Sequence, residues 1–233
     1  MPSYFVSSFI LFLLMFGIAQ KGILAPKADI PSDIPFDSTI RIICYGGSST
    51  AGFPFPPDWP HTYPNLLQDR LRKSLGPETR VINLGEDRKS IRDIRERLPA
   101  DLKSIKPDLV VINTVVNSIK VDYRKDYPAV LQFASGSVPT IYLVLEPFFN
   151  KTFENGLPGP MPKDIETLLQ LLRGLANGRE VIAIGPTPTF QTHRDEFLFM
   201  DSTVHLTKFG NRLLADLLAE TIASQRRPIK QKR

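Results

Sequence analysis

Five short apolar runs punctuate the chain after residue 40: Arg41-Ile42-Ile43-Cys44-Tyr45, Val81-Ile82-Asn83-Leu84, Leu109-Val110-Val111-Ile112, Ile141-Tyr142-Leu143-Val144-Leu145 and Val181-Ile182-Ala183-Ile184. They are rich in β-branched residues and apolar at successive positions, the pattern of strands covered on both faces, as in a parallel sheet. Between them the spacing becomes helical. Tyr63, Leu67, Leu71 and Leu75 repeat up to Gly76; Ile91, Ile94, Leu98 and Leu102 mark a second helix, with a bend expected at Pro99. Ile165, Leu168, Leu169, Leu172 and Leu175 run to Asn177-Gly178, and Leu213, Leu214, Leu217, Leu218 and Ile222 follow Gly210. Alternating strands and helices predict an α/β domain: a five-stranded parallel sheet in a three-layer α/β/α sandwich with right-handed crossovers. Ligands of such sheets sit beyond the carboxyl ends of the strands, so chemistry is expected just after these runs.

The flanks differ from this body. Residues 4–19 form a sixteen-residue stretch without charge, ahead of Gln20-Lys21. Its length lies between a signal-peptide core and a spanning helix. Gly17-Ile18-Ala19 offers small residues for a signal peptidase, whereas the absence of a preceding Lys or Arg, with Lys21 and Lys27 following, favours the opposite orientation for an uncleaved anchor. The expectation is export or membrane anchoring with the domain outside the cytoplasm. This gives a signal peptide or anchor over 1–25, an extended linker with Pro26, Pro31 and Pro35 over 26–38, a domain over 39–225 and a basic tail over 226–233.

Composition narrows the function. With 42% hydrophobic and 23% charged residues in 233, the chain suits one globular domain. The net charge of +5 comes from the tail's Arg226, Arg227, Lys230, Lys232 and Arg233, leaving the body neutral. A neutral body argues against nucleic acid as the main partner, since phosphate recognition needs a basic face on the folded domain. One cysteine, Cys44, excludes an internal disulfide and a cysteine-based metal cluster, and its apolar run predicts inert core.

The first strand ends in Gly46-Gly47-Ser48-Ser49-Thr50-Ala51-Gly52. By itself this small-residue turn fits a nucleophile, a phosphate loop or a strand-to-helix turn capped by serines. The phosphate loop is the weakest of the three, because no Walker lysine follows and the dinucleotide glycine pattern is missing. A serine nucleophile needs a histidine to take its proton and usually an acid to orient that histidine. His61 and His193 lie in polar loops, where a solvated side chain is the ordinary outcome. His205 sits immediately before the final helix with Asp201 four residues upstream, so one loop can present base and orienter together.

Taken together these segments resemble the SGNH hydrolases of the GDSL-like esterase/lipase group, over about residues 40–224. Gly46 to Gly52 resembles the nucleophile block, with Gly47 in place of the usual Asp. Asn83-Leu84-Gly85 resembles the second block, Asn117 falls where the third carries its asparagine, and Asp201 to His205 with the Gly210 helix resembles the last. The resemblance implies a flavodoxin-like SGNH fold, Ser48 as nucleophile, His205 as base, Asp201 as its orienter, and an oxyanion hole from the Ser48 and Gly85 amides and the Asn117 side chain. It implies a serine ester hydrolase for small-molecule or glycan esters, such as O-acetylated carbohydrate, that needs no metal or organic cofactor. Gly85 and Asn117 are expected at the ends of neighbouring strands. Phe53, Phe55, Trp59, Tyr63, Phe148 and Phe149 line an acyl or sugar pocket or form lids over the sheet edge.

Three departures shape the expectations. Val115-Val116-Asn117-Ser118 replaces Gly-x-Asn-Asp, which alters the loop holding Asn117. Asp201 stands four residues before His205, where the family has three and this chain has Ser202; a bulge at Ser202-Thr203 in a loop of free register restores the triad, and otherwise a dyad operates. Arg88 lies where a second glycine is common, which narrows the pocket or offers the substrate a cation. Two other readings remain open: a degenerate domain that binds glycan or lipid without turnover, and a carbohydrate O-acyltransferase using the same residues.

Overall fold

The computed structural model describes residues 40–55, 59–145, 163–193, 198–200 and 205–225. Residues 4–19, the linker, Phe148, Phe149, Asp201, Ser202 and the basic tail lie outside the described residues. Five parallel strands, β1 (Arg41–Gly46), β2 (Arg80–Gly85), β3 (Leu109–Asn113), β4 (Thr140–Val144) and β5 (Val181–Ile184), form one sheet in the order β2-β1-β3-β4-β5. The helices described are α1 (Ser48–Ala51), α2 (Tyr63–Leu75), α3 (Ile91–Ile105), α4 (Val115–Ser118), α5 (Tyr123–Ser135), α6 (Lys163–Leu175), α7 (Thr187–Thr192) and α8 (Lys208–Gln225).

Because successive strand residues point to opposite faces, the apolar runs divide between two cores. Ile42, Cys44, Leu109, Val111, Tyr142 and Val144 pack with α2 and α8. Ile43, Tyr45, Val110, Ile112, Ile141 and Leu143 pack with α3, α5 and α6. These are the three layers expected. Cys44 is fully buried in the first core, and that burial pushes its thiol far above the ordinary range, so the thiolate needed for reaction is absent at neutral pH.

The sheet order corrects one expectation. Gly85 and Asn117 follow β2 and β3, which are not neighbours: β1 lies between them and pairs with both, Gly46 standing opposite Gly85 on one side and Asn113 on the other. The chain winds outward from β1 in both directions, so the carboxyl end of β1 is a topological switch point where the flanking loops diverge and leave a crevice. The residue that follows β1 and Gly47 is Ser48.

Helix α3 runs unbroken through Pro99. Its start is secured by a capping box in which the Ser90 N–H donates to the Asp93 carboxylate at 2.8 Å. Helix α5 was not among the helices read from the sequence. Its inner face carries Tyr127, Val130, Leu131 and Ala134, but also Asp126, which is 1% exposed. That carboxylate accepts from Arg92 Nε at 3.2 Å and Arg95 Nη1 at 2.5 Å, both on α3, which compensates its burial.

Candidate active site

Helix α1 is a single turn held tightly in place. Gly47 precedes it, and the Thr50 and Ala51 N–H groups donate to the Gly47 carbonyl at 3.1 and 3.0 Å. Asn83 Nδ2 donates to the Thr50 carbonyl at 2.9 Å, and the Thr50 and Tyr63 hydroxyls are 3.1 Å apart in the core. Ser48, at the first position of this turn, is 9% exposed. As the opening residue of a helix it has an N–H with no intrahelical acceptor.

His205 reaches Ser48 from the other side of the molecule. The Phe199–Leu206 antiparallel bridge, with the Met200 N–H donating to the His205 carbonyl at 2.8 Å and the Thr207 N–H to the Leu198 carbonyl at 2.9 Å, closes a hairpin whose returning arm carries the histidine. The register of this segment is therefore fixed at both ends, contrary to the expectation of a freely slipping loop. Asn211 ties the hairpin to α2: its Nδ2 donates to the Leu206 and Thr207 carbonyls at 3.1 and 3.0 Å, while its Oδ1 accepts from the Tyr63 N–H at 2.8 Å. Thr207 Oγ1 accepts from the Gly210 N–H at 3.1 Å in the first turn of α8. Held this way, His205 Nε2 stands 3.0 Å from Ser48 Oγ, within hydrogen-bond reach. The Phe53 ring lies over the imidazole with centroids 4.7 Å apart.

Asn117 joins the same site. A cavity of about 200 Å³ is lined by Gly47, Ser48, Ser49, Asp87, Val116, Asn117 and His205. A Cβ built on Gly47 would collide with Asn117 Nδ2, so the glycine that replaces the family's Asp is the space into which this amide fits. The altered third block retains a defined shape. Ser118 Oγ donates to the Thr114 carbonyl at 2.5 Å and accepts from the Ile91 N–H at 3.0 Å, while Thr114 Oγ1 donates to the Lys89 carbonyl at 2.9 Å. These bonds clamp α4 to the turn between β2 and α3.

Gly85 is placed differently from the expectation. Its N–H donates to Asn83 Oδ1 at 2.9 Å, and its Cα faces the backbone of Thr50 and Ala51, away from the cavity lining. An amide already engaged with a side chain is a poor donor to an oxyanion, and the glycine's visible service is to let α1 approach β2. Gly85→Ala is accordingly expected to lose about 3 kcal/mol, because the new methyl meets backbone that cannot move aside. A urea unfolding midpoint equal to that of the parent would overturn this.

The turn that follows keeps the conformation of a glycine. Arg88 has φ 62°, in the left-handed region that non-glycine residues seldom adopt. Its guanidinium does not line the cavity; it lies beside the Asp87 carboxylate, Nε to Oδ2 3.4 Å. Tyr63, read as a pocket residue, is fully buried in the core. Phe55 stacks on Trp59 at 3.8 Å and Trp59 meets His61 edge-on, while His193 contacts the Thr189 carbonyl and the Phe209 ring, so neither of the other histidines joins Ser48.

The model of the GDSL-like lipase/acylhydrolase family matches residues 44–213, from β1 into α8. The chain belongs to this family. Its chemistry is therefore that of an ester hydrolase. The GDSL-like fold is shared with solved structures at low identity. An acetyl xylan esterase is 24% identical with a TM-score of 0.65, over 78% of this chain and 100% of that one. An acetylxylan esterase from Geobacillus stearothermophilus is 17% identical with a TM-score of 0.64, over 82% and 98%. An alpha/beta hydrolase enzyme from the metagenome of Lake Arreo, Spain, is 16% identical with a TM-score of 0.67, over 82% and 98%. No curated protein matches the chain.

Proposed function

We propose that this GDSL-like acylhydrolase removes short acyl groups from small polyol or carbohydrate esters, with Ser48 as nucleophile, His205 as general base and Asp201 as the acid that orients it. The observation that carries this reading is the 3.0 Å approach of His205 Nε2 to Ser48 Oγ at the switch point of the sheet. As Oγ attacks the ester carbonyl, Nε2 takes its proton, and the carbonyl π electrons move onto oxygen. The Ser48 N–H and Asn117 Nδ2 stand in the wall around that oxygen, in the place of the three donors first expected. The imidazolium then protonates the departing alcohol, and a water activated by His205 releases the acid from the acyl-enzyme.

The cavity supports the choice of acyl group. About 200 Å³ accommodates an acetyl group with part of its alcohol, well below the roughly 300–1,000 Å³ typical of drug-sized ligand pockets. Two structural neighbours named as acetyl xylan esterases agree with a small acyl group on sugar. The test is labelling of the protein by a fluorophosphonate and release of acetate from acetylated xylo-oligosaccharide. Labelling with no acetate release moves the substrate elsewhere; failure of both overturns the hydrolytic assignment.

Residues 4–19 are proposed to carry the domain out of the cytoplasm, on the strength of their uncharged length and the small residues Gly17 and Ala19. Among the described residues no helix is long and apolar enough to cross a membrane. Expression of the full chain should yield a mature N-terminus near Gln20, or a membrane-bound chain whose domain a protease reaches only from outside. An intact chain digested only from the cytoplasmic side rejects export.

A further inference from the structure

The site holds a charge that the reaction does not use. Apart from His205, Asp87 is the one ionisable residue in the described lining of the cavity shared by Ser48 and Asn117. Its carboxylate is 52% exposed, and the one cation beside it, Arg88, is 91% exposed with Nε at 3.4 Å. A pair so open to water neutralises little of the carboxylate's field. The neighbouring charges are committed elsewhere: Glu86 pairs with Arg97, and Lys89 Nζ lies 3.3 Å from Asp93, both partners on α3. The turn bearing Asp87 is braced as well. The Glu86 N–H donates to the Gly46 carbonyl at 3.1 Å, the Lys89 N–H to the Glu86 carbonyl at 3.3 Å, and Thr114 Oγ1 to the Lys89 carbonyl at 2.9 Å.

We infer that Asp87 is a specificity-determining residue, selecting neutral or cationic esters and rejecting esters whose alcohol or acyl part is anionic. The inference rests on the hydrolytic reading of the Ser48 site and names its substrate class. A carboxylate at this place accepts hydrogen bonds from sugar or polyol hydroxyls. It repels a uronate, a phosphorylated alcohol or a half-ester of a dicarboxylic acid at the same distance.

The experiment uses three aryl acetates of similar size: phenyl acetate, the anionic 4-acetoxybenzoate and the cationic 4-acetoxy-N,N,N-trimethylanilinium. Each ester is compared with itself between parent and variant, so that intrinsic leaving-group reactivity cancels. Asp87→Asn should raise kcat/KM for the anionic ester relative to phenyl acetate by roughly threefold to tenfold and lower that for the cationic ester by a similar factor, the size expected of one partly solvated charge across a few ångströms. Both changes should shrink in high salt, and Asp87→Glu, which keeps the charge, should retain the parent's order. An equal change for all three esters would show that Asp87 acts through folding or through His205, and overturns the inference while leaving hydrolysis intact. A parent protein inert toward all three overturns the hydrolytic reading and the inference together.

Discussion

Ser48→Ala is expected to lower kcat toward 4-nitrophenyl acetate by roughly 10⁵-fold, leaving the fold and the unfolding midpoint close to those of the parent. The hydroxyl is the atom that forms the acyl bond, so no neighbouring group compensates for its loss. Its removal also costs little structure, because α1 is held by Gly47, Asn83 and Thr50 rather than by Ser48 Oγ. His205→Ala should show a loss of similar size, and the double variant should be scarcely worse than either alone, since nucleophile and base act as one unit. The covalent check is independent of rate. A fluorophosphonate adduct should map to Ser48 by peptide mass spectrometry; an adduct on Ser49, the next residue of the same turn, would reassign the nucleophile. Retention of more than about a hundredth of the parent activity in Ser48→Ala would remove acyl-enzyme chemistry from this site.

How far the site could be read in advance varied with the kind of interaction that built it. The strands were legible to within a residue or so because both faces of each are covered by helices, which forces continuous apolar runs. Helix α5 escaped because its buried stripe is interrupted by Asp126, whose partners Arg92 and Arg95 come from a different helix, and because Pro128 stands inside it. Tyr63 looked like a pocket aromatic, yet its hydroxyl finds Thr50 in the core, a partner that no spacing rule reveals. The Ser48–His205 approach was foreseeable from local composition and family blocks, whereas the means of holding it was not. Asn211 bridges the hairpin and α2 across 148 positions of sequence, and Ser118 replaces a family Asp with a hydroxyl that both donates and accepts. Gly85 shows the converse limit. Its place in the block was readable, but the neighbouring Asn83 side chain takes its amide, and only coordinates reveal that capture. Asp87 gave no periodic or motif signal, since its position in the cavity depends on the turn set by β2, α3 and α4 together.

The second large effect concerns the acid behind His205. Asp201→Asn is expected to reduce kcat by about 10³–10⁴, and Ser202→Ala by tenfold or less. A carboxylate does two things for a catalytic imidazole: it accepts the Nδ1 proton, fixing the tautomer that leaves Nε2 free to accept, and it stabilises the positive charge that appears during attack. A serine hydroxyl can do the first and not the second. With Nε2 already 3.0 Å from Ser48 Oγ, the orienting group must serve the opposite nitrogen, Nδ1. The hairpin favours Asp201 for this task, because Met200, its neighbour in the chain, is hydrogen-bonded through its N–H to the His205 carbonyl, and the Phe199–Leu206 bridge leaves four residues to span the turn between them. The bridge also makes the extra residue relative to the family spacing a matter for the turn alone, since neither arm can slip without breaking the pairing of Leu198 with Thr207. The variants are to be compared by kcat and by the pH dependence of kcat/KM, where loss of the carboxylate should move the acidic limb to lower pH because the imidazolium loses its counter-charge. A larger loss in Ser202→Ala than in Asp201→Asn would assign the orienting role to the hydroxyl and make the site a Ser48–His205 dyad.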